Sequence, residues 1–381
     1  MIALALGALA CAIWAYLLLA RGGFWWHAPR LAAAPPAHWP AVVAVIPARD
    51  EAEGIEACVG SLLGQDYPGA LGLVLVDDHS SDGTAGLARR AAAALGRADR
   101  LQVVEGGALP AGWTGKLWAV AQGLEAAERW MPEAAYVLLS DADIAHDRRN
   151  LAELVAHAEA NRLDLASLMV VLHCESWAER WLIPAFVFFF EMLYPFAWVN
   201  RRDRRTAAAA GGCMLARRSA LARIGGVAAI RGALIDDCAL AAAIKPGGPI
   251  WLGLATRTRS LRVYPRLGDI WLMVARTAYV QLGHSPLLLA LTVLGMAVTY
   301  LAPPALLLAG GLPGLLGGLA WLAMAVAYAP TLRRYRRSLV WAPLLPLIAV
   351  FYTAATVGSA WRHYRGRGGA WKGRVYAKGD A

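Results

Sequence analysis

Apolar and polar residues follow two different rhythms along this chain. Residues 1–20, 285–332 and 338–361 contain no Asp, Glu, Lys or Arg. Each is long enough to cross a hydrocarbon core of about 30 Å, and Gly310-Gly311-Leu312-Pro313-Gly314 divides 285–332 into two span-length pieces. Between these ends, short β-branched runs alternate with longer segments of helical periodicity. Ala41–Ile46, Leu71–Val76, Leu101–Val104 and Tyr136–Leu139 read as buried strands. Glu51–Leu63, the alanine-rich stretch capped by Asp82-Gly83-Thr84, Lys116–Trp130 and Arg148–Asn161 read as helices. Strands alternating with helices predict an α/β domain, a mainly parallel sheet flanked by helices. The expected plan is an N-terminal transmembrane anchor (1–20), an α/β domain (41–265), an interfacial helix (266–284), a transmembrane bundle (285–361) and a basic tail (362–381).

Within the α/β domain, residues 182–199 carry one charge, Glu191, and are followed by Asn200-Arg201-Arg202-Asp203-Arg204-Arg205. Pro184, Pro195 and Glu191 weigh against a spanning helix. The expectation is an interfacial helix over about 177–200 with its arginines at the lipid surface; a helix buried in the domain is the alternative. Residues 1–20 lack a basic leader and run into Arg21 and Phe24-Trp25-Trp26, which favours an uncleaved anchor over a signal peptide. Basic residues beside the spans place the α/β domain on the cytoplasmic side of the inner membrane. Arg333–Arg337 and the tail are both basic, and Pro343 and Pro346 interrupt the last apolar stretch. A re-entrant hairpin there would keep both basic segments inside.

Composition adjusts this picture little. The hydrophobic fraction of 58% exceeds that of soluble domains because of the apolar ends. The net charge of +10 comes from arginines beside apolar runs, a placement that suits anionic headgroups and excludes nucleic acid as a partner. Five cysteines show neither metal-ligand spacing nor an even disulfide count. The histidines share no metal spacing either, and oligomeric state is not legible.

The chemistry lies in the carboxylates. Asp77-Asp78 and Asp141-Ala142-Asp143 each follow an apolar strand, so parallel strands deliver them to one sheet edge, where ligands of such folds bind. Asp50-Glu51 follows the first strand, and Asp236-Asp237 stands before a helical segment. Carboxylates gathered this way repel unless a cation sits among them, and a metal-chelated nucleotide diphosphate is the natural guest. Hard oxygen donors suit Mg²⁺ or Mn²⁺, with Asp143 as direct ligand and Asp141 toward ribose or water. Asp77 and Asp78 can accept from a base N–H or ribose hydroxyls, and Gly83 permits a tight turn. The bland alternatives are helix caps for Asp82 and Asp143 and helix N-terminal electrostatics for Glu51 and Asp237. An aspartyl phosphotransferase or phosphatase would need a small hydroxyl residue where Ala145 stands, and Ser140 lacks a nucleophile-elbow sequence. A membrane scaffold or transporter that only binds nucleotide is a further alternative.

Taken in order, VIPARDE, VDDHSSDGT, GWTGKLWAVAQG, LLSDAD, AAGGCMLARRSAL and IDDCALAAAIK closely resemble family 2 glycosyltransferases of the GT-A fold, over about residues 41–255. GWTGK, VARTAYVQL and RGRGGAWKGRVY resemble the membrane-bound subgroup associated with hopanoid biosynthesis. The resemblance implies that Pro47, Arg49, Asp50 and Glu51 line the nucleotide pocket, that Asp77 and Asp78 hold base and ribose, that Lys116 meets the ribose-diphosphate side and that Asp143 binds the metal. Asp237 takes the place of the general base, and Asp236 stands where Glu is more usual. Processive relatives carry a glutamine-arginine-tryptophan signature; here Arg276 survives alone in Met273-Val274-Ala275-Arg276-Thr277. The function so implied is an inverting transfer of one sugar, from a UDP-sugar or a related nucleotide-sugar, to a hopanoid or other polyisoprenoid lipid acceptor in the bilayer. A processive polysaccharide synthase is the alternative within the family.

Overall fold

The computed structural model describes residues 1–27, 29–366 and 368, together with the backbone of Ala370, Trp371, Arg374 and Val375. The side chains of the tail beyond 368 therefore lie outside the described residues. The chain divides into two compact units, one built on a sheet and one helical.

The sheet unit comprises residues 29–173 and 198–262 of the described chain. Its eight strands are β1 (Val42–Ala48), β2 (Leu71–Asp77), β3 (Leu101–Glu105), β4 (Tyr136–Leu139), β5 (Ile144–Ala145), β6 (Leu165–Val171), β7 (Met214–Arg217) and β8 (Ile250–Ser260), in the order β3-β2-β1-β4-β7-β6-β8-β5. The first four strands are parallel to one another, and β6 is parallel to β8. The strand β7 runs antiparallel between β4 and β6, and β5 runs antiparallel to β8. The sheet is thus mixed, parallel where the apolar runs predicted it and reversed at β7.

All seven residues of β1 are buried because both faces of the sheet are covered. Val42, Ala44, Ile46 and Ala48 join a core with Ile55, Val59 and Leu62 of the helix Ile55–Leu63 and with Leu151, Leu154 and Val155 of the helix Asn150–Ala160. Each fully buried Val, Leu or Ile contributes about 1.5–3 kcal/mol. On the opposite face the helix Gly115–Trp130 lies so close that a Cβ on Gly123 would come within 2.4 Å of Val45 Cγ1 and 3.0 Å of Val76 Cγ2. The register pairs Ala48 with Asp77 and Val45 with Leu139, so the parallel strands end together and release their loops at one edge.

The helix expected from Glu51 begins only at Ile55. The amides of Asp50, Glu51 and Ala52 donate instead to Ser80 Oγ, Thr84 Oγ1 and Asp82 Oδ2 at 2.9–3.0 Å. These bonds tie the loop after β1 to the loop after β2 and deny the first turn its helical geometry.

The helical unit holds residues 1–27, 174–197, 263–366 and 368 of the described chain. Among the described residues, five helices are long and apolar enough to cross a membrane: Ile2–Leu19, Trp177–Val199, Pro286–Leu307, Gly311–Arg334 and Leu339–Tyr364. The second, the segment expected at the interface, starts at a Ser176/Glu179 capping box and packs against the helices Leu267–Gln281, Gly311–Arg334 and Leu345–Tyr364. Glu191, the one charge of its 182–199 stretch, pairs with Arg334 at 3.2 Å. The last apolar stretch is one continuous helical segment, a 3₁₀ turn over Leu339–Leu344 leading into Leu345–Tyr364, with no hairpin at its prolines. Pro303 and Pro304 have no N–H, so the Thr299 carbonyl lacks both its α- and π-type donors. Trp14 Nε1, from the first helix, donates to that carbonyl at 2.8 Å. Close by, Cys11 Sγ lies 3.1 Å from the Leu316 carbonyl.

Gly123→Ala tests the face-to-face packing of the sheet. Alanine is the better helix former by about 1 kcal/mol, yet the clash with Val45 is expected to cost about 1–3 kcal/mol and to lower the thermal midpoint. An unchanged or raised midpoint in a detergent-solubilised melt would show that this face has slack.

Candidate active site

The loops after β1, β2 and β4 meet at the edge defined by the strand ends. Asp78, only 2% exposed, receives Arg49 Nη1 at 2.7 Å on its carbonyl and 3.5 Å on Oδ2, and its Oδ1 lies 3.2 Å from His79 Nδ1. Asp77 Oδ1 accepts from the Ser80 amide at 3.0 Å, and Asp50 Oδ1 accepts from the Ser81 amide at 2.8 Å. Asp50 and His79 hold φ of +48° and +57°, left-handed values that cost a non-glycine residue energy. Backbone held in such a conformation by its neighbours is common at ligand clamps.

Beside this group, Lys116 at the start of its helix reaches 2.8 Å from Asp141 Oδ1 and 3.0 Å from Asp236 Oδ2. Thr114 caps that helix by accepting from the Leu117 amide, which fixes where Lys116 emerges. Burial alone would lower the lysine pKa, but attraction from Asp141 and Asp236 holds it well above its ordinary value. Asp237, on the first turn of the helix Asp236–Ile244, accepts from the Gly211 amide at 2.9 Å and the Cys238 amide at 2.7 Å. Burial and the neighbouring Asp236 raise its pKa to about 6 despite Lys116. A Cβ on Gly211 would stand 3.5 Å from each of Asp141 Oδ2, Asp237 Oδ2 and Lys116 Nζ, so this glycine leaves open the corner where the three groups converge. Pro47, Leu139, Asp141, Gly211 and Asp236 line a small cavity behind Lys116.

A third cluster was not foreseen. Arg262, just beyond β8, donates from Nε to Asp143 Oδ2 at 2.8 Å and from Nη2 to both Glu51 oxygens at 2.9 and 3.0 Å. The cation demanded by the acidic edge is thus supplied three times by the chain itself, by Arg49, Lys116 and Arg262. Unscreened, two carboxylates about 4 Å apart would cost about 4 kcal/mol at a surface-like dielectric.

Behind the Asp141–Asp143 loop lies a neutral polar relay. Asn150 Nδ2 is 3.2 Å from His146 Nδ1, and His146 Nε2 is 2.9 Å from Ser140 Oγ. Ser140 Oγ lies 3.0 Å from the Gly212 carbonyl. Burial lowers the His146 pKa to about 4, so the ring is uncharged at neutral pH, with Nδ1 accepting and Nε2 donating.

Among the predicted residues, the sheet unit brings together Pro47, Arg49, Asp50, Glu51, Asp77, Asp78, Lys116, Asp141, Asp143, Asp236 and Asp237. Arg276 is exposed on the helix Leu267–Gln281 of the helical unit. For a divalent ion, Asp141 and Asp143 offer hard oxygens, and the guanidinium already at Asp143 shows that positive charge is favoured there. Among the described residues no three His, Cys, Asp or Glu side chains form a fuller ligand set. That fits an ion drawing its other ligands from phosphate and water.

The helix-covered mixed sheet, with carboxylates and cations gathered at one edge, is a GT-A fold. Residues 43–225 match the glycosyl transferase family 2 description. The solved structure of the mannosyltransferase PcManGT from Pyrobaculum calidifontis, in complex with GDP-Man and Mn²⁺, is similar with a TM-score of 0.58 and 21% identity. That match covers 93% of this chain and 99% of that one. TarS from S. aureus, residues 1–349 in complex with UDP-GlcNAc, aligns with a TM-score of 0.41 and 13% identity, covering 89% of this chain and 97% of that one. No curated protein matches the sequence.

Lys116→Met tests the charge balance. It leaves Asp141, Asp236 and Asp237 without their shared cation, and breaking such a pair costs up to about 3–5 kcal/mol when buried, less at this partial exposure. Without the lysine the carboxylate pKa values rise in the folded state, so stability is lost as pH increases. The variant should melt several degrees below wild type at pH 7.5, and the gap should narrow at pH 5; a gap independent of pH would contradict this account.

Proposed function

We propose that the protein is a glycosyltransferase that moves a single sugar from a nucleotide-sugar to the hydroxyl of a lipid held in the membrane. The observation that carries the reading is the convergence of Asp237, its pKa raised to about 6, with Lys116, Asp141 and Asp236 at one sheet edge. A carboxylate poised near neutral pH is suited to take a hydroxyl proton. The five span-length apolar helices support an acceptor drawn from the bilayer, here a hopanoid or another polyisoprenoid lipid. Exposed Arg201, Arg202, Arg204 and Arg205 suit the anionic cytoplasmic face of the inner membrane. A single transfer is favoured over processive synthesis because Arg276 lacks the glutamine and tryptophan that accompany it in polymer-forming relatives.

In this mechanism Arg49, Asp77 and Asp78 bind the base and ribose, with Asp50 bracing their loop. The acceptor oxygen attacks the anomeric carbon from the face opposite the nucleotide, while Asp237 takes its proton. The bond from that carbon to the diphosphate oxygen breaks, and the electron pair leaves with the nucleoside diphosphate. The configuration at the sugar carbon is thereby inverted. Lys116, freed from one carboxylate, neutralises charge growing on the diphosphate. Asp143, with Asp141 beside it, would hold Mg²⁺ or Mn²⁺, which supplies further electrostatic stabilisation of the diphosphate when bound. The donor is a nucleoside diphosphate sugar; UDP is the assignment from the motifs, and the similar mannosyltransferase was solved with GDP-Man.

Purified protein in detergent, given labelled UDP- and GDP-sugars with lipid extract, should form a labelled lipid. Asp237→Asn should reduce the rate by about 10²–10⁴; full activity in that variant would remove the proposed base. Wild-type kcat should fall below about pH 6 as Asp237 protonates. Asp236→Asn removes a charge that raises the Asp237 pKa, so the acid limb should move to lower pH. A limb that stays in place or moves upward would refute the coupling.

A further inference from the structure

Resting on the nucleotide-sugar reading above, we propose that Arg262 is a resident counter-ion at Asp143 that a divalent cation displaces only together with the donor diphosphate. It makes metal and nucleotide binding mutually dependent.

Arg262 is held at this position by the backbone. Ile144 pairs with Ser260 across β5 and β8, and the Leu261 amide donates to the Asp143 carbonyl at 2.7 Å. The two residues are therefore neighbours by strand register. The Arg262 side chain is 35% exposed, whereas Glu51 and Asp143 are 13% and 16% exposed, so it has an outward path that the carboxylates lack. Its guanidinium spends two contacts on Glu51 and one on Asp143.

A divalent ion would bind the carboxylate that Arg262 now occupies, at a distance of about 2.0–2.1 Å for Mg²⁺. Guanidinium and metal then compete for Asp143 and repel each other. A diphosphate changes the balance, because it brings several negative charges and acceptor oxygens. The planar fork can keep Glu51 while turning its freed Nε toward phosphate. The same displacement explains why Glu51 is present: it anchors the arginine when Asp143 is given up. By linkage, the factor by which nucleotide improves metal affinity equals the factor by which metal improves nucleotide affinity.

The test is Mn²⁺ binding to the full-length protein in detergent, followed by the loss of the free-ion EPR signal, alone and with GDP or UDP. Wild type should bind Mn²⁺ at least about fivefold more tightly with a nucleoside diphosphate than without. Arg262→Gln should bind nucleotide-free Mn²⁺ at least about fivefold more tightly than wild type, with a correspondingly smaller gain from nucleotide. Adding Asp143→Asn should abolish the improvement. Arg262→Lys, which keeps the charge but loses the fork to Glu51, should fall between and serves if the glutamine variant does not fold. Unchanged nucleotide-free affinity in the folded variants, or an improvement that survives Asp143→Asn, would overturn the proposal. Sugar transfer by the wild type is scored separately. Turnover with a flat Mn²⁺ response would remove only the role of Arg262, and absence of nucleotide binding and turnover would remove the underlying reading.

Discussion

Negative charge gathered at one sheet edge is the constraint around which this sheet unit is arranged. Parallel strands must release their loops on the same side, and here those loops carry Asp50, Asp77, Asp78, Asp141 and Asp143, with Asp236 and Asp237 nearby. The fold resolves the repulsion locally. Arg49 lies against Asp78, Lys116 joins Asp141 to Asp236, and Arg262 joins Asp143 to Glu51. The compensation is incomplete at Asp237, whose carboxyl retains a raised pKa. Charge is tolerated rather than cancelled at this position, which sets Asp237 apart from the carboxylates around it.

Much of the sheet unit was legible because its strands are buried on both faces and therefore continuous in apolar sequence. The first four runs, Ala41–Ile46 to Tyr136–Leu139, correspond to β1 to β4. The strands β6, β7 and β8 were not read. Met214–Arg217 is only four residues long and follows an alanine run, and the reversal at β7 depends on pairing with β4 and β6. The late start of the helix Ile55–Leu63 was equally hidden, since the amides of residues 50–52 are claimed by Ser80, Asp82 and Thr84, some thirty positions away.

The acidic members of the candidate site could be named from sequence because each adjoins a strand end or opens a helix. The basic counterpart at Asp143 could not. Arg262 follows Arg257 and Arg259 in a stretch without a motif, and its significance comes only from the Ile144–Ser260 register. His146 was visible as a residue, but its relay through Ser140 to Gly212 joins loops 72 positions apart. Pattern along a chain reports which face a residue occupies; it does not report who stands opposite.

The Trp14–Thr299 contact has a consequence for biogenesis. The indole is made well before its acceptor, a carbonyl stripped of its usual donors by two prolines, which emerges 285 residues later. Throughout the intervening synthesis the leading segment carries an unmatched N–H at the level where its neighbours will eventually pack. Assembly of the helical unit therefore closes backwards, the helix Ile2–Leu19 waiting on the segment around Thr299. Chains released before residue 299 would keep every strand of the sheet and still lack the partner that anchors their beginning.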